Sequence, residues 1–431
     1  MTKRHPLWLK YLFGATALAA AAVYLHVTLT RRVVNFAPSL NGRFEITDFL
    51  YHLLVVKAFW QGDIPSIYRL DAQRAVMSQL FHSDIRSVMP VGVTPTTLLL
   101  WLPLVFLASA SLSWANTGWL SLSVGALGLA WWKLGTFARS HRKEMLRPAL
   151  LFPALFLFSF PMFSALALGQ TSILACGLLI LLLLEVTAAR RAERSLRRWL
   201  VYGLVFVLSL KLPYLLIAVG LLFVFGYRRE SVVSGLIVGG VVLLVGALFG
   251  PQLLTDYAGQ LSVYSQVTIA EYYAPSIVLF TTNTFRSAFT PVIGPAAALV
   301  ISQVVFVAGG AIILAISLAQ RVFPARLPKW AARAGEHQLA IGLFAVFLLF
   351  MPYMGGYEDL LLALPPAIVI VAPRGRIWPP WKEAFLLAGL PLALNHNFFP
   401  SDKPLWLFWL VKGGVLWLMA GMASAPPGEQ K

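Results

Sequence analysis

The sequence predicts an all-α, polytopic transmembrane helical bundle with about ten to thirteen membrane segments. Three observations carry that expectation. Hydrophobic residues make up 59% of the 431 positions, charged residues only 12%, and the mean hydropathy is +0.76. A soluble domain is about a quarter charged, so this chain has too little charge to coat a water-facing surface. Apolar runs recur close to the length of about 20 residues that a bilayer-spanning helix requires. Finally, the basic residues gather in short stretches between those runs. Of the 34 Lys and Arg, 22 fall in 1–10, 133–147, 190–198, 228–229, 321–333 and 374–382. That is the positive-inside pattern, and it places those stretches in the cytoplasm. The net charge of +17 therefore reads as membrane orientation. A nucleic-acid surface would interleave Lys and Arg with stacking aromatics on a polar face, and no such stripe occurs.

The chain reads as one integral membrane domain over 1–431. Lys3, Arg4 and Lys10 precede an apolar run, giving a retained first transmembrane helix at 8–30 with a cytoplasmic N-terminus. Residues 31–93 follow as a long polar loop outside the cytoplasm. Within it, the stretch Phe49 to Trp60 and a second one at 71–81 are expected to be helices lying on the membrane surface. Central helices occupy 94–250. The run 94–109 carries Pro95 and Pro103 and is too short to span. The run 199–226 is interrupted by Lys211-Leu212-Pro213 and reads as a broken hairpin. A second outer loop covers 251–290, and the C-terminal helices fill 291–423. Counting crossings between basic loops puts residues 170, 286 and 357 on the outer side, together with the 31–93 loop.

Polar groups within such a chain are costly and mark candidate sites. Glu45 and Asp48, three residues apart, share a face if helical. Asp48 serves equally as an N-cap for the helix that follows. Lys211 lies midway along an apolar stretch, where a functional role competes with snorkelling to the interface. Gly169-Gln170 makes a tight polar turn between apolar helices, and Gln there commonly satisfies backbone groups. Tyr353 to Asp359 forms an acidic, aromatic turn that brings Glu358 close to the next membrane segment. Arg286 offers a fork suited to phosphate or an interfacial anchor. The only cysteine, Cys176, sits in an apolar helix and reads as packing. No HxxxH, HxH or DxD pattern and no glycine-rich nucleotide loop occurs, so neither a metal site nor a nucleotide cofactor is expected.

In order, these features resemble glycosyltransferase family 87, a group of polytopic C-type glycosyltransferases, over roughly residues 8–400. Asp48, Phe49 and Tyr51 resemble an Asp-Phe-x-x-Tyr element after the first helix, with Tyr51 one residue earlier than that spacing. The string 62–68 resembles a Gly-x-x-Pro-x-x-Tyr element. Thr94-Pro95, Gly169-Gln170, Lys211-x-Pro213 and Pro352-Tyr353 follow at family-like positions. The chain departs from the family where Met351-Pro352 replaces Ser-Pro and Tyr357 stands near the position of a family His.

The resemblance implies the C-type fold and a location in the cell (inner) membrane. It implies transfer of a hexose, mannose favoured, from a polyprenyl-phosphate sugar to a hydroxyl of a lipid-linked or envelope glycan acceptor. Asp48 would be the general base, and Glu45, Tyr51, Gln170, Lys211, Arg286, Tyr357 and Glu358 would line the substrate cavity. The lipid phosphate is its own leaving group, so no cofactor is needed if Arg or Lys neutralises it. The competing expectations are a transporter or flippase for a lipid-linked sugar, and a non-catalytic subunit of envelope assembly.

Overall fold

The computed structural model describes residues 48–81, 91–192, 194–266, 284–351, 356–372, 389–394 and 405–423. The expected first helix at 8–30 and Glu45 lie outside them. The described residues form an all-α helical membrane protein with no strand.

The chain opens with α1 (Asp48–Gln61) and α2 (Leu70–Phe81), then α3 (Thr97–Leu100) and α4 (Leu102–Ala110). The long α5 (Leu112–His141) leads to α6 (Leu146–Leu157), α7 (Phe160–Leu168) and α8 (Ser172–Arg191). Next come α9 (Arg198–Leu208), α10 (Leu212–Val224), α11 (Arg228–Phe249) and α12 (Gln252–Gln266). The second half holds α13 (Phe285–Ile293), α14 (Pro295–Val322), α15 (Lys329–Arg333) and α16 (Glu336–Phe350). A 3-10 stretch, Gly356–Ala363, runs into α17 (Leu364–Val371), and α18 (Leu405–Met422) comes last.

Among the described residues, α8, α11, α14 and α18 are long and apolar enough to cross a bilayer. A fifth span results if α6 and α7, bent by 56°, count as one. The expected ten to thirteen segments cover the whole chain; among the described residues several apolar runs are split. The run 94–109 breaks at Trp101 into pieces of 4 and 9 residues. The run 199–226 divides into 11 and 13 residues, and 360–372 begins as 3-10 and leaves an α-helix of 8.

The centre of the bundle is α8, buried over 89% of its apolar window, whereas α14 is buried over only 6% and turns its face outward. Helix α8 packs most extensively on α5. Gly177 permits this: a Cβ there would lie 2.7 Å from the backbone nitrogen of Leu127 and 2.9 Å from the carbonyl oxygen of Ala126. The two backbones meet directly, as small residues allow between membrane helices. Cys176 is fully buried beside this contact, its thiol 3.8 Å from the Leu360 carbonyl.

Helix α1, expected to lie on the membrane surface, is enclosed by protein. Phe49 through Val56, Ala58 and Phe59 are all buried. A helix that is apolar on every side buries every side, and His52 and Lys57 are too few to make a wet face. Phe49 stacks on Trp119 with centroids 5.2 Å apart and meets Trp101 edge-on at 5.4 Å, while Phe59 packs on Phe249. Helix α2 does keep one wet face: Asp71, Arg74 and Gln79 are exposed, and Gln73, Val76 and Met77 are buried.

Candidate active site

The turn between α7 and α8 is the first component. Gly169 ends α7 in the left-handed region, φ 65°, ψ 33°. The Gly169 amide donates to the Leu166 carbonyl and the Gln170 amide to that of Ala165 (2.8 Å), the paired bonds of a Schellman motif. The Gly169 carbonyl accepts from the Trp119 indole at 2.8 Å. A Cβ at Gly169 would lie 2.7 Å from the Phe49 Cβ, so the first turn of α1 rests on this glycine. Gln170 is thereby held buried at the start of α8.

The second component is the break between α9 and α10. Pro213 fits the first turn of α10 without losing a helical bond. Lys211 just before it is extended, φ −127°, ψ 134°. The carbonyls freed at the break are satisfied from the segment before α3. The hydroxyls of Thr94 and Thr96 both donate to the Ser209 carbonyl, and the Thr94 amide donates to that of Leu210 at 2.9 Å. Irregular backbone among apolar helices survives only with such partners.

The third component is the 3-10 stretch, which packs on α7 and α8 and carries Glu358 and Asp359. The Lys211 ammonium donates to the Glu358 carboxylate at 3.3 Å and to the Gln170 side-chain oxygen at 3.4 Å. All three are buried, so Lys211 does not snorkel. Tyr214, one turn along α10, stands beside Glu358 and Thr171, and its ring centroid is 5.9 Å from the Lys211 ammonium. A second ion pair adjoins the first: Asp359 accepts from Lys412 of α18, which is 0% exposed. The second Asp359 oxygen, Oδ2, has no hydrogen-bond partner among the described residues. His52 lies one turn into α1, buried, with its Nε2 also without such a partner. Burial, and secondly the Lys211 charge, push its imidazole down to about 3, so the ring is neutral.

The structure therefore brings Gln170, Lys211 and Glu358 together from positions far apart in the chain. The backbone of Asp48 opens α1, one residue before the Phe49 that touches Gly169; its side chain lies outside the described residues, as do Glu45 and the side chain of Tyr357. Tyr51, expected to line the cavity, is buried, and its hydroxyl donates to Gln73 at 2.6 Å, tying α1 to α2. Arg286 is buried in the first turn of α13, whose Phe285 and Phe289 pack on Trp409, one turn from Lys412. The Asp359–Lys412 pair was not among the expected site residues. Its sequence signal is a lysine midway along the apolar run of α18, the same signal that marks Lys211. Among the described residues no three His, Cys, Asp or Glu side chains converge as a metal site would require.

What this arrangement offers chemically is a low-dielectric cluster of two ammoniums and two carboxylates with a neutral imidazole and a phenol beside it. Its charges balance, which is the condition for burying them. No protein-family model, curated protein or solved structure matches the chain.

Proposed function

We propose that the protein is a membrane glycosyltransferase, moving a hexose from a polyprenyl-phosphate sugar to a hydroxyl of a lipid-linked or envelope glycan acceptor on the outer side of the cell membrane. The observation that carries this reading is the convergence of Gln170, Lys211 and Glu358 beside the turn on which α1 rests, with Asp48 at the start of that helix. In the reaction, Asp48 takes the proton of the acceptor hydroxyl as its oxygen bonds to the anomeric carbon. The bond from that carbon to the phosphate oxygen breaks, its electron pair stays on the polyprenyl phosphate, and attack from the opposite face inverts the centre. Lys211, oriented by Gln170 and Glu358, supplies positive charge next to the leaving phosphate. Mannose as the sugar rests on the family resemblance alone.

Broken helices with buried charge also suit a transporter or flippase, whose site belongs near the bilayer midplane. Gln170 instead lies at the very start of the 20-residue α8, which suits a site at one end of a spanning helix better than one at its middle. The experiment separates the two readings. Purified protein supplied with polyprenyl-phosphate hexose and an acceptor glycolipid is expected to release polyprenyl phosphate only when acceptor is present. Asp48→Asn is expected to stop release while leaving the fold intact. Unchanged turnover in Asp48→Asn would overturn the base assignment. Movement of the donor across vesicles with no release would favour the flippase.

A further inference from the structure

The opposite end of α8 carries a second polar construction. Its last residues, Arg190 and Arg191, line a cavity of about 170 Å³ together with Thr187, Phe225, His337 and Val371. The rise of a 20-residue helix separates this cavity from Gln170 by about 30 Å. A single water takes a share of about 30 Å³ of liquid volume, so the space admits a polyatomic group.

The wall is strongly cationic. Arg191 donates to the Val371 carbonyl at 3.2 Å and its guanidinium lies 4.8 Å from the centroid of the Phe137 ring. Arg142 is buried nearby and donates to the Ala372 carbonyl. Arg190 and Arg321 both engage Glu336. Arg228 lies within electrostatic range of Arg321. Arg190 and Arg321 thus share the single carboxylate of Glu336, while Arg191 and Arg142 bond to backbone carbonyls. The neighbouring acids do not change the balance: Glu185 is held by Arg194 and Arg197, and Glu230 by Arg198. His337 is the second residue of α16, so the positive end of that 15-residue helix also meets the cavity. Its ring packs edge-on against Phe225 at 5.1 Å, within electrostatic range of Arg190, Arg191 and Arg142. The buried Nε2 has no hydrogen-bond partner among the described residues.

The positive-inside rule accounts for basic residues in loops at this end. It does not account for two guanidiniums and an unpartnered imidazole nitrogen converging on one cavity, where like charges repel and a buried polar atom lacks a partner. A bound anion relieves both. Planar guanidiniums match the oxygens of a phosphate group, and donors converging from α8 and the start of α16 suit a tetrahedral anion better than a flat carboxylate.

We propose that this cavity is a binding site for a phosphate group, carried either by an anionic phospholipid headgroup of the adjoining leaflet or by free phosphate. The test uses the full chain purified in detergent. Inorganic phosphate is titrated by calorimetry, and phospholipid retention is measured by native mass spectrometry after exchange into phosphatidylcholine with or without phosphatidylglycerol. The expected result is saturable binding of one probe. Arg191→Gln and His337→Gln should each weaken it about tenfold, the loss of one charge-assisted hydrogen bond. Arg139→Gln, at an arginine that does not line the cavity, should leave it unchanged. Binding of phosphate that competes with phosphatidylglycerol assigns the shared chemistry, and retention of phosphatidylglycerol without phosphate binding assigns the headgroup. If neither probe binds, or if Arg139→Gln weakens binding as much as the cavity variants, the proposal is wrong. His337→Gln removes no charge from the arginine cluster, so it remains informative where Arg191→Gln fails to fold.

Discussion

At the scale of single residues, the Lys211–Glu358 pair sets the clearest demand. Both side chains are buried, at 9% and 5% exposure, so removing one partner strands the other charge in a low-dielectric site. Lys211→Met is expected to cost about 3–5 kcal/mol, read as a lowered unfolding midpoint in detergent. The double variant Lys211→Met/Glu358→Leu should recover most of that loss; no recovery would mean that the pair does not act as a unit. His52 makes a prediction in pH. Its ring is held neutral down to about 3, while in the unfolded chain it protonates near 6.5. Below that value the unfolded state binds the extra proton, so stability falls as pH drops from about 6.5 toward 3, at no more than about 1.4 kcal/mol per unit. His52→Leu should flatten the acid limb in this window, and an unaltered limb would assign acid sensitivity elsewhere. The residue scale is also where the sequence was most informative about the site. Gln170, Lys211 and Glu358 each stand out as polar groups in apolar runs. Their meeting did not, because separations of 41 and 147 residues leave no trace in local pattern.

At the scale of elements, glycine decides two contacts. Gly177 lets α8 and α5 touch backbone to backbone, so even Gly177→Ala is expected to force the helices apart at about 1–3 kcal/mol, seen in thermal unfolding. Gly169 has a positive φ and bears on Phe49, so Gly169→Ala meets strain and a clash together. It should displace the start of α1 and reduce turnover in the proposed transfer reaction more than it reduces stability; intact turnover would separate α1 from the site. The breaks were legible from Pro and Gly: Pro213 opens α10, Gly169 closes α7, and Pro103 sits in the first turn of α4. The enclosure of α1 was not. Its side chains are apolar on every face, and whether such a helix floats on lipid or sinks into protein depends on what surrounds it, here Trp101, Trp119 and Phe249.

At the scale of the whole molecule, α8 joins two differently charged ends, the balanced cluster at Gln170 and the arginine-lined cavity at Arg190 and Arg191. Orientation is testable on exposed positions. Asp63→Cys is expected to react with an impermeant thiol reagent from outside and Ser140→Cys only after permeabilisation, with the buried Cys176 silent in both. Reaction of Ser140→Cys in sealed cells would reverse the assignment. The ion pairs also carry a schedule for synthesis. Lys211 leaves the ribosome 147 residues ahead of Glu358, so it is made before its counter-charge exists. Lys412, fully buried in the middle of α18, meets the opposite order. It is made 53 residues after Asp359, so its counter-charge is already synthesised when α18 enters the membrane. The order of the second pair thus spares Lys412 a solitary passage through lipid, and α18 brings its lysine to a carboxylate already made.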